Sequence, residues 1–262
     1  MEVQKLTYKE YWGYYWRITA RHRIPGIFKW DQDLVELIET QCSLPPGGKI
    51  LDLGCAGGDQ SKLFSQKGYS VTGIDQVPSL IAFAKETYQQ GGLHGQFIVG
   101  DMREIDYQAQ FDLCVMLSGT FGSPSDDQDR LLLRKIHRSL KHNGHAFIDY
   151  LPLEAYCQRQ RSRTWHGIEG GYALGEEWFD ARTSTYRTRH LHILLEGRII
   201  EAADEDGYGA NEIIRCYGAR EIELMAEAAD FKVKSHLSRK QIGEQHTEPA
   251  EGEPRGLLVL QK

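Results

Sequence analysis

Apolar residues fall along this chain in two patterns. Some form short runs that stop at a glycine or an acid, which suits strands buried on both faces; others recur every third or fourth position, which suits amphipathic helices. Ile50, Leu51 and Leu53 make the first buried strand; Gly54, Gly57 and Gly58 force a tight turn, and 59–67 carries Leu63 and Phe64 on a helix face. Further strands are predicted over 69–74, 96–99, 112–117 and 145–151. Helices lie between them: 78–88, with Leu80, Phe83, Ala84 and Tyr88 inward, and a helix opened by a Ser125-x-x-Gln128 capping box and reaching Leu140. The segment 103–110 is short and polar and predicts a turn. Strand and helix in alternation predict an α/β fold around a largely parallel sheet.

The flanks differ from this core. Over 7–20, Tyr8, Tyr11, Trp12 and Tyr15 share one helix face, widened by Trp16 and Ile18, and a second helix over 31–41 turns Leu34, Leu37 and Ile38 inward. From Pro152 the pattern becomes short strands at 162–169, 172–179, 183–195 and 198–203, an antiparallel excursion in which His190 and His192 alternate with apolar neighbours and are expected to face solvent. A helix at 219–229 and strands at 231–237 and 256–260 return to the core pattern, with a polar loop at 239–255 between the last two. The organisation read from this is an N-terminal helical cover (1–48), a ligand-binding core (49–151), an antiparallel lid or interface (152–217) and the remainder of the core (218–262).

A strand, a glycine turn and a helix open a nucleotide-binding βαβ unit. The turn reads Asp52-x-Gly54-x-Ala56-x-Gly58 and lacks the third glycine of a dinucleotide fingerprint. A carboxylate at Asp52 repels pyrophosphate and suits an ammonium group. Asp75 ends the second strand, where an acid accepts hydrogen bonds from ribose hydroxyls. Asp101 and Met102 end the third, placed to meet an adenine amino group and to pack on its ring.

Ile-Leu-Asp-Leu-Gly-Cys-Ala-Gly-Gly, Val-Thr-Gly-Ile-Asp, Val-Gly-Asp-Met and Phe-Asp-Leu-Cys-Val-Met-Leu resemble, in order and spacing, the motifs of class I S-adenosylmethionine-dependent methyltransferases of the small-molecule type. The resemblance covers about residues 30 to 152 and departs at Ala56, where the family usually has glycine. It implies a Rossmann-like, seven-stranded, mostly parallel sheet with an N-terminal helical cover and an antiparallel β insertion. It implies S-adenosyl-L-methionine as cofactor, held by Asp52, Gly54, Cys55, Ala56, Gly58, Asp75, Gln76, Asp101, Met102, Leu117 and Ser118. It also implies methyl transfer to an N, O or C nucleophile on a small molecule. A non-catalytic S-adenosylmethionine-binding protein and a nicotinamide-dependent oxidoreductase are the alternatives.

Charge and cysteine content narrow the partners. Thirty-one Lys plus Arg against 37 Asp plus Glu give a net charge of −6, which offers no pull toward nucleic acid or an anionic membrane. The five cysteines are widely spaced with no C-x-x-C pair, as expected of reduced thiols in a cytoplasmic protein. A homodimer through the insertion is an open expectation, because such sheets leave exposed edges. For catalysis the candidates are Tyr150, at the end of the fifth strand, and His166, in the insertion. Ser118 to Gly122 would line the same sheet edge, with Phe121 as a wall. One of Arg17, Arg21 and Arg23 could grip a cofactor carboxylate. Asp126, Asp127 and Asp129 fall in the first turn of a helix, where acids favour the dipole, so no metal is predicted.

Overall fold

The computed structural model describes residues 2–20, 29–123, 125–168, 170–203, 212–238 and 255–262. The first half of the chain forms β1 (Glu2–Leu6), α1 (Tyr8–Ala20), α2 (Lys29–Cys42), β2 (Lys49–Leu53), α3 (Asp59–Gln66), β3 (Ser70–Asp75), α4 (Pro78–Gln90), β4 (Gly95–Val99), β5 (Phe111–Phe121) and α5 (Asp126–Ser139). There follow β6 (Leu140–Tyr150), α6 (Leu153–Tyr156), β7 (Ser162–Ile168), β8 (Gly171–Asp180), β9 (Thr185–Leu194), β10 (Arg198–Ala202), β11 (Glu212–Arg215), α7 (Ala219–Glu227), β12 (Lys232–Ser238) and β13 (Gly256–Gln261).

Seven strands form one sheet in the order β4-β3-β2-β5-β6-β13-β12, parallel except for β13, which runs against both its neighbours. This is the class I methyltransferase fold. Its strands are apolar on both faces because both faces are covered. Leu51, Leu53, Met116 and Ile148 pack on one side with α5 and α7, while Ile50, Val115, Leu117 and Phe147 pack on the other with α2 and α3. The order of strands reverses at β2, flanked by β3 and β5, and a crevice opens beyond the carboxyl ends of strands at such a reversal.

The second sheet follows the order β1-β10-β9-β8-β7, with β11 also paired to β9. Four of its strands match the predicted excursion. β1 and β11 do not: the charged run Glu2–Leu6 lacks a strand pattern of its own and is drawn into the sheet by parallel pairing with β10. The N-terminal cover is therefore part strand and part helix, and α1 lies between the two sheets. Gly13 lets α1 come down on Val77 and Ser79 at the start of α4, while Tyr11, Tyr14 and Tyr15 pack on the insertion.

That packing overturns the expectation for His192. The imidazole is fully buried, stacked on Tyr11 with centroids 5.6 Å apart, and neither ring nitrogen has a hydrogen-bond partner among the described residues. His190 is half-buried on the same face, against Tyr15. Strand alternation assigns two faces; it cannot tell which is wet when a distant helix covers one.

Three further expectations are corrected. Phe83 is exposed and Ile81 takes its place in the buried stripe of α4, the pair differing by half a turn. Ser125 caps α5 by position, but its side chain makes no capping bond; Asp129 turns back instead to accept from the Ser123 backbone N–H. Phe121 is fully buried against Tyr217 and is no wall of any site.

Burial holds His192 well below the ordinary imidazole range, at about 4, with His190 and His166 adding to the shift. A folded-state value below the unfolded one means the unfolded chain binds the extra proton, so stability falls as pH drops from about 6.5 toward 4. His192→Phe should remove this component, worth up to about 3 kcal/mol at pH 4. It should also gain about 1 kcal/mol at pH 7 by deleting a buried unpaired polar group. Urea unfolding of both proteins at the two pH values checks this.

Candidate active site

The carboxyl edge of the seven-stranded sheet gathers the ends of β2, β3, β4, β5 and β6 with the start of β13. At its centre Asp75 ends β3, and its two oxygens accept from different elements: Oδ2 from the Ala56 N–H at 3.0 Å and Oδ1 from the Val77 N–H at 2.8 Å. The carboxylate thus ties the turn after β2 to the start of α4. Burial raises its pKa, and these two N–H groups oppose the rise.

The turn itself is shaped by the chain's own packing. A Cβ on Gly54 would meet Thr120, one on Gly57 would meet Phe83 at 3.0 Å, and one on Gly58 would meet Ala84 and Phe97 at 3.3 Å. The glycines are therefore needed by neighbouring elements as well as by any ligand. Ala56 adopts φ +46°, a left-handed conformation that costs a non-glycine residue about 1–2 kcal/mol. Hence glycine is the unstrained choice here and alanine a tolerated one.

Asp52 is buried on β2, and its Oδ2 accepts from the Ser61 hydroxyl of α3 at 2.6 Å. Burial pushes its carboxyl up to about 6, opposed by Ser61 and assisted by Asp75. A buried acid with so little compensation favours a cation brought alongside it. Cys55 is likewise buried, its thiol packed with Ile81 and Phe97 and pushed up by burial, so only its backbone faces the edge.

Farther along the edge, Asp101 is held by Arg103, whose Nε and Nη2 reach its two oxygens at 2.9 and 2.6 Å; these bonds hold its carboxyl low. Lys9 of α1 adds to that field. Met102 is half-buried against the core. Leu117 is buried, and its carbonyl accepts from the Thr120 hydroxyl at 2.6 Å. Ser118 is exposed at φ +59°, with its N–H on Asp149 at 3.0 Å. Gln76 is half-buried beside Asp75.

The two proposed catalytic residues lie in different places. His166 is exposed on the insertion, across Ala173 from His192. Tyr150 ends β6 and is buried, its ring against Gly256. Its hydroxyl lies 2.6 Å from His236 Nε2, and His236 Nδ1 lies 3.0 Å from Glu223 Oε1. Glu223, kept below the usual carboxylate range by His236 and Arg220, can only accept. With a neutral imidazole Nδ1 therefore carries the hydrogen, and Nε2 accepts from the phenol. His236 and Glu223 were not singled out from sequence: one sits in a strand, the other on a helix, and nothing in their spacing pairs them with Tyr150. A cleft of about 390 Å³ opens here, lined by Tyr150, Glu154, His236 and Arg255 among others.

Three other expectations find their answer or lie beyond reach. Among Asp126, Asp127 and Asp129, the last is buried and accepts from Ser123 and from the Tyr217 hydroxyl at 2.6 Å, while Arg215 pairs with Asp126. These acids serve the fold. Arg21 and Arg23 lie outside the described residues, as does the Arg17 side chain. No described helix is long and apolar enough to cross a membrane.

Residues 50–144 match the model of a methyltransferase domain. The cypemycin N-terminal methyltransferase of a Streptomyces species is 32% identical over 105 residues, covering 39% of this chain and 42% of that protein. The ubiquinone biosynthesis O-methyltransferase of Pseudomonas aeruginosa strain LESB58 is 31% identical over 104 residues, covering 39% and 44%. The chain spans less than half the length of these curated relatives. Among solved structures, an S-adenosylmethionine-dependent methyltransferase from Clostridium acetobutylicum ATCC 824 superimposes with a TM-score of 0.71 at 14% identity, covering 96% of this chain and 98% of that one. CalS10, an amino pentose methyltransferase from Micromonospora echinaspora, gives 0.64 at 17% identity, covering 94% and 95%. This likeness of fold extends over nearly the whole chain.

Since Asp52 has a folded-state value near 6, above its unfolded value, it costs stability as pH rises through that interval. Asp52→Asn keeps the Ser61 partner and should stabilise the protein by up to about 3 kcal/mol at pH 7.5 and hardly at all at pH 4. Thermal and urea denaturation at both pH values report this directly.

Proposed function

We propose, from the class I methyltransferase fold and the match of residues 50–144 to a methyltransferase-domain model, that the protein binds S-adenosyl-L-methionine and methylates a small molecule. The observation that carries this reading is the row of acids Asp52, Asp75 and Asp101 on adjacent strand ends beside the glycine turn. Asp75 would accept from the ribose hydroxyls. Asp101 and Met102 would sit at the adenine, with Gln76, Leu117 and Ser118 framing it. Asp52, the backbone of Cys55, and Gly54 to Gly58 would surround the methionine part. The chemistry of this set fits the ligand: a buried carboxylate with little compensation gains by facing ammonium and sulfonium charges. When bound, the cofactor supplies an electrophilic methyl group for in-line displacement.

The protein's own part is to hold the acceptor in line and to exclude water, which can supply about 7–11 kcal/mol of the barrier. The α1 helix, braced on Val77 and Ser79, covers one end of the edge. The cleft at Tyr150 has room for a small acceptor at the other. For an acceptor that must lose a proton, Tyr150 Oη would take it while passing its own hydrogen to His236 Nε2. Glu223 then stabilises the imidazolium. His166 would act only at the insertion side of the cover and has no comparable partner chain.

The amino pentose methyltransferase CalS10 and the sugar N-methyltransferase KedS8 share this fold, which supports a small-molecule acceptor. The −6 net charge and the lack of a spanning helix among described residues agree with it. Incubation of the protein with cell extract and isotopically labelled methyl donor, read by mass spectrometry, should give a labelled small molecule. Label confined to macromolecules, or none, would reject the reading.

Asp75→Ala should weaken S-adenosylmethionine binding by about 1.5 to 3 kcal/mol, read by calorimetry, because charge-assisted hydrogen bonds are lost. For an acceptor of the labelled product's class that carries a hydroxyl, Tyr150→Phe should lower kcat by about 10²- to 10⁴-fold and flatten the acid limb of the pH profile, where the relay is lost by protonation. Unchanged kcat would remove Tyr150 from the proton path.

A further inference from the structure

The insertion sheet carries apolar rows on both faces, yet among the described residues only one face is covered. Its registers set Tyr172, Ile193, Ile199 and Val3 in one cross-strand row and Trp165, Leu174 and Leu191 in the next, which runs on into Glu201 and Lys5 at the β10–β1 side. By strand alternation these rows lie opposite the row of Ala173, His192 and Ile200 that α1 covers. No described element packs over them. Trp165 is 72% exposed, Val3 53% and Tyr172 44%, with Leu195 at the adjoining turn 78% exposed. Trp165 and Tyr172 stack edge to face across 5.8 Å, so they present one continuous surface. Sheets that face water alternate apolar with polar residues; this one carries the composition of a sheet between two layers.

We propose that a second copy of this chain supplies the missing layer, the outer faces of the two insertion sheets packing on each other about a two-fold axis. The exposed fractions above, on side chains of about 150–250 Å², leave roughly 500 Å² of apolar surface. A standard interface buries about 800 Å² per partner, some 60% of it apolar, which is the same amount. Among the charges bordering the patch, Arg161 and Arg163 share Glu176, Arg189 pairs with Glu201, and Lys5 lies beside Glu201 in the register. That border mixes both signs, so an identical face can set its arginines against the partner's glutamates. β7, an exposed strand at the sheet edge, leaves the approach clear on the Trp165 side. This inference goes beyond the methyl-transfer reading and stands without it.

Sedimentation of the full chain over about 1 to 100 μM should give a mass twice the 29.9 kDa of one chain. The double variant Trp165→Glu, Leu191→Lys should weaken dimerisation at least about tenfold, and Tyr172→Glu alone should do so less strongly. Leu131→Glu, on the exposed face of α5, is the control and should dimerise as the parent does. Circular dichroism and urea unfolding establish that each variant is folded. A monomeric parent throughout that range, or a dimer indifferent to both patch variants, overturns the proposal. So does a monomer that binds phosphatidylcholine–phosphatidylglycerol vesicles through Trp165, which would assign the face to a membrane.

Discussion

The carboxylate of Asp75 is the constraint on which this architecture turns. One side chain at the tip of β3 accepts from Ala56 in the turn after β2 and from Val77 at the threshold of α4. Two strand–loop–helix units are thereby fixed relative to each other at the reversal of strand order, where the crevice opens. Every other feature of the edge is placed against that tie. α1 rests on Val77 and Ser79, Asp52 feels the field of Asp75, and the strained Ala56 is held by its bond to the Asp75 carboxylate.

Around this tie the edge separates into two regions of different chemistry. The β2–β3–β4 side is acidic, its carboxyls partly neutralised by Ser61, by backbone N–H groups and by Arg103. The β6–β13–β12 side carries Tyr150, His236 and Glu223 in a chain of hydrogen bonds beside an open cleft. The junction lies at Ser118, Gly119 and Asp149, at the ends of β5 and β6.

Local sequence carried the core well, because its signals are local. Apolar runs ended by Asp52, Asp75 and Asp101 mark strands whether or not the rest of the chain is known, and the glycine turn fixes how β2 connects to α3. What escaped depends on contacts between distant segments. β1 pairs with residues nearly two hundred positions away, and His192 is buried only because α1 crosses it. Phe121 reads as a loop residue until Tyr217 is packed over it, and the partnership of Tyr150 with His236 needs β12 to lie two strands from β6. Periodicity reports which face a residue takes and is silent on what arrives to cover it.

The position of β13 bears on how the molecule is made. This strand is threaded between β6 and β12, and its Leu258 and Leu260 complete the same apolar layer as Met116 and Ile148. During synthesis β6 has no neighbour on that side until residues 256–261 leave the ribosome, and β1 waits through a still longer stretch of chain for β10. Both closures join segments far apart along the chain, so acquisition of the native state should be slow and late. Until then an open strand flank is available to chaperones or to misassembly.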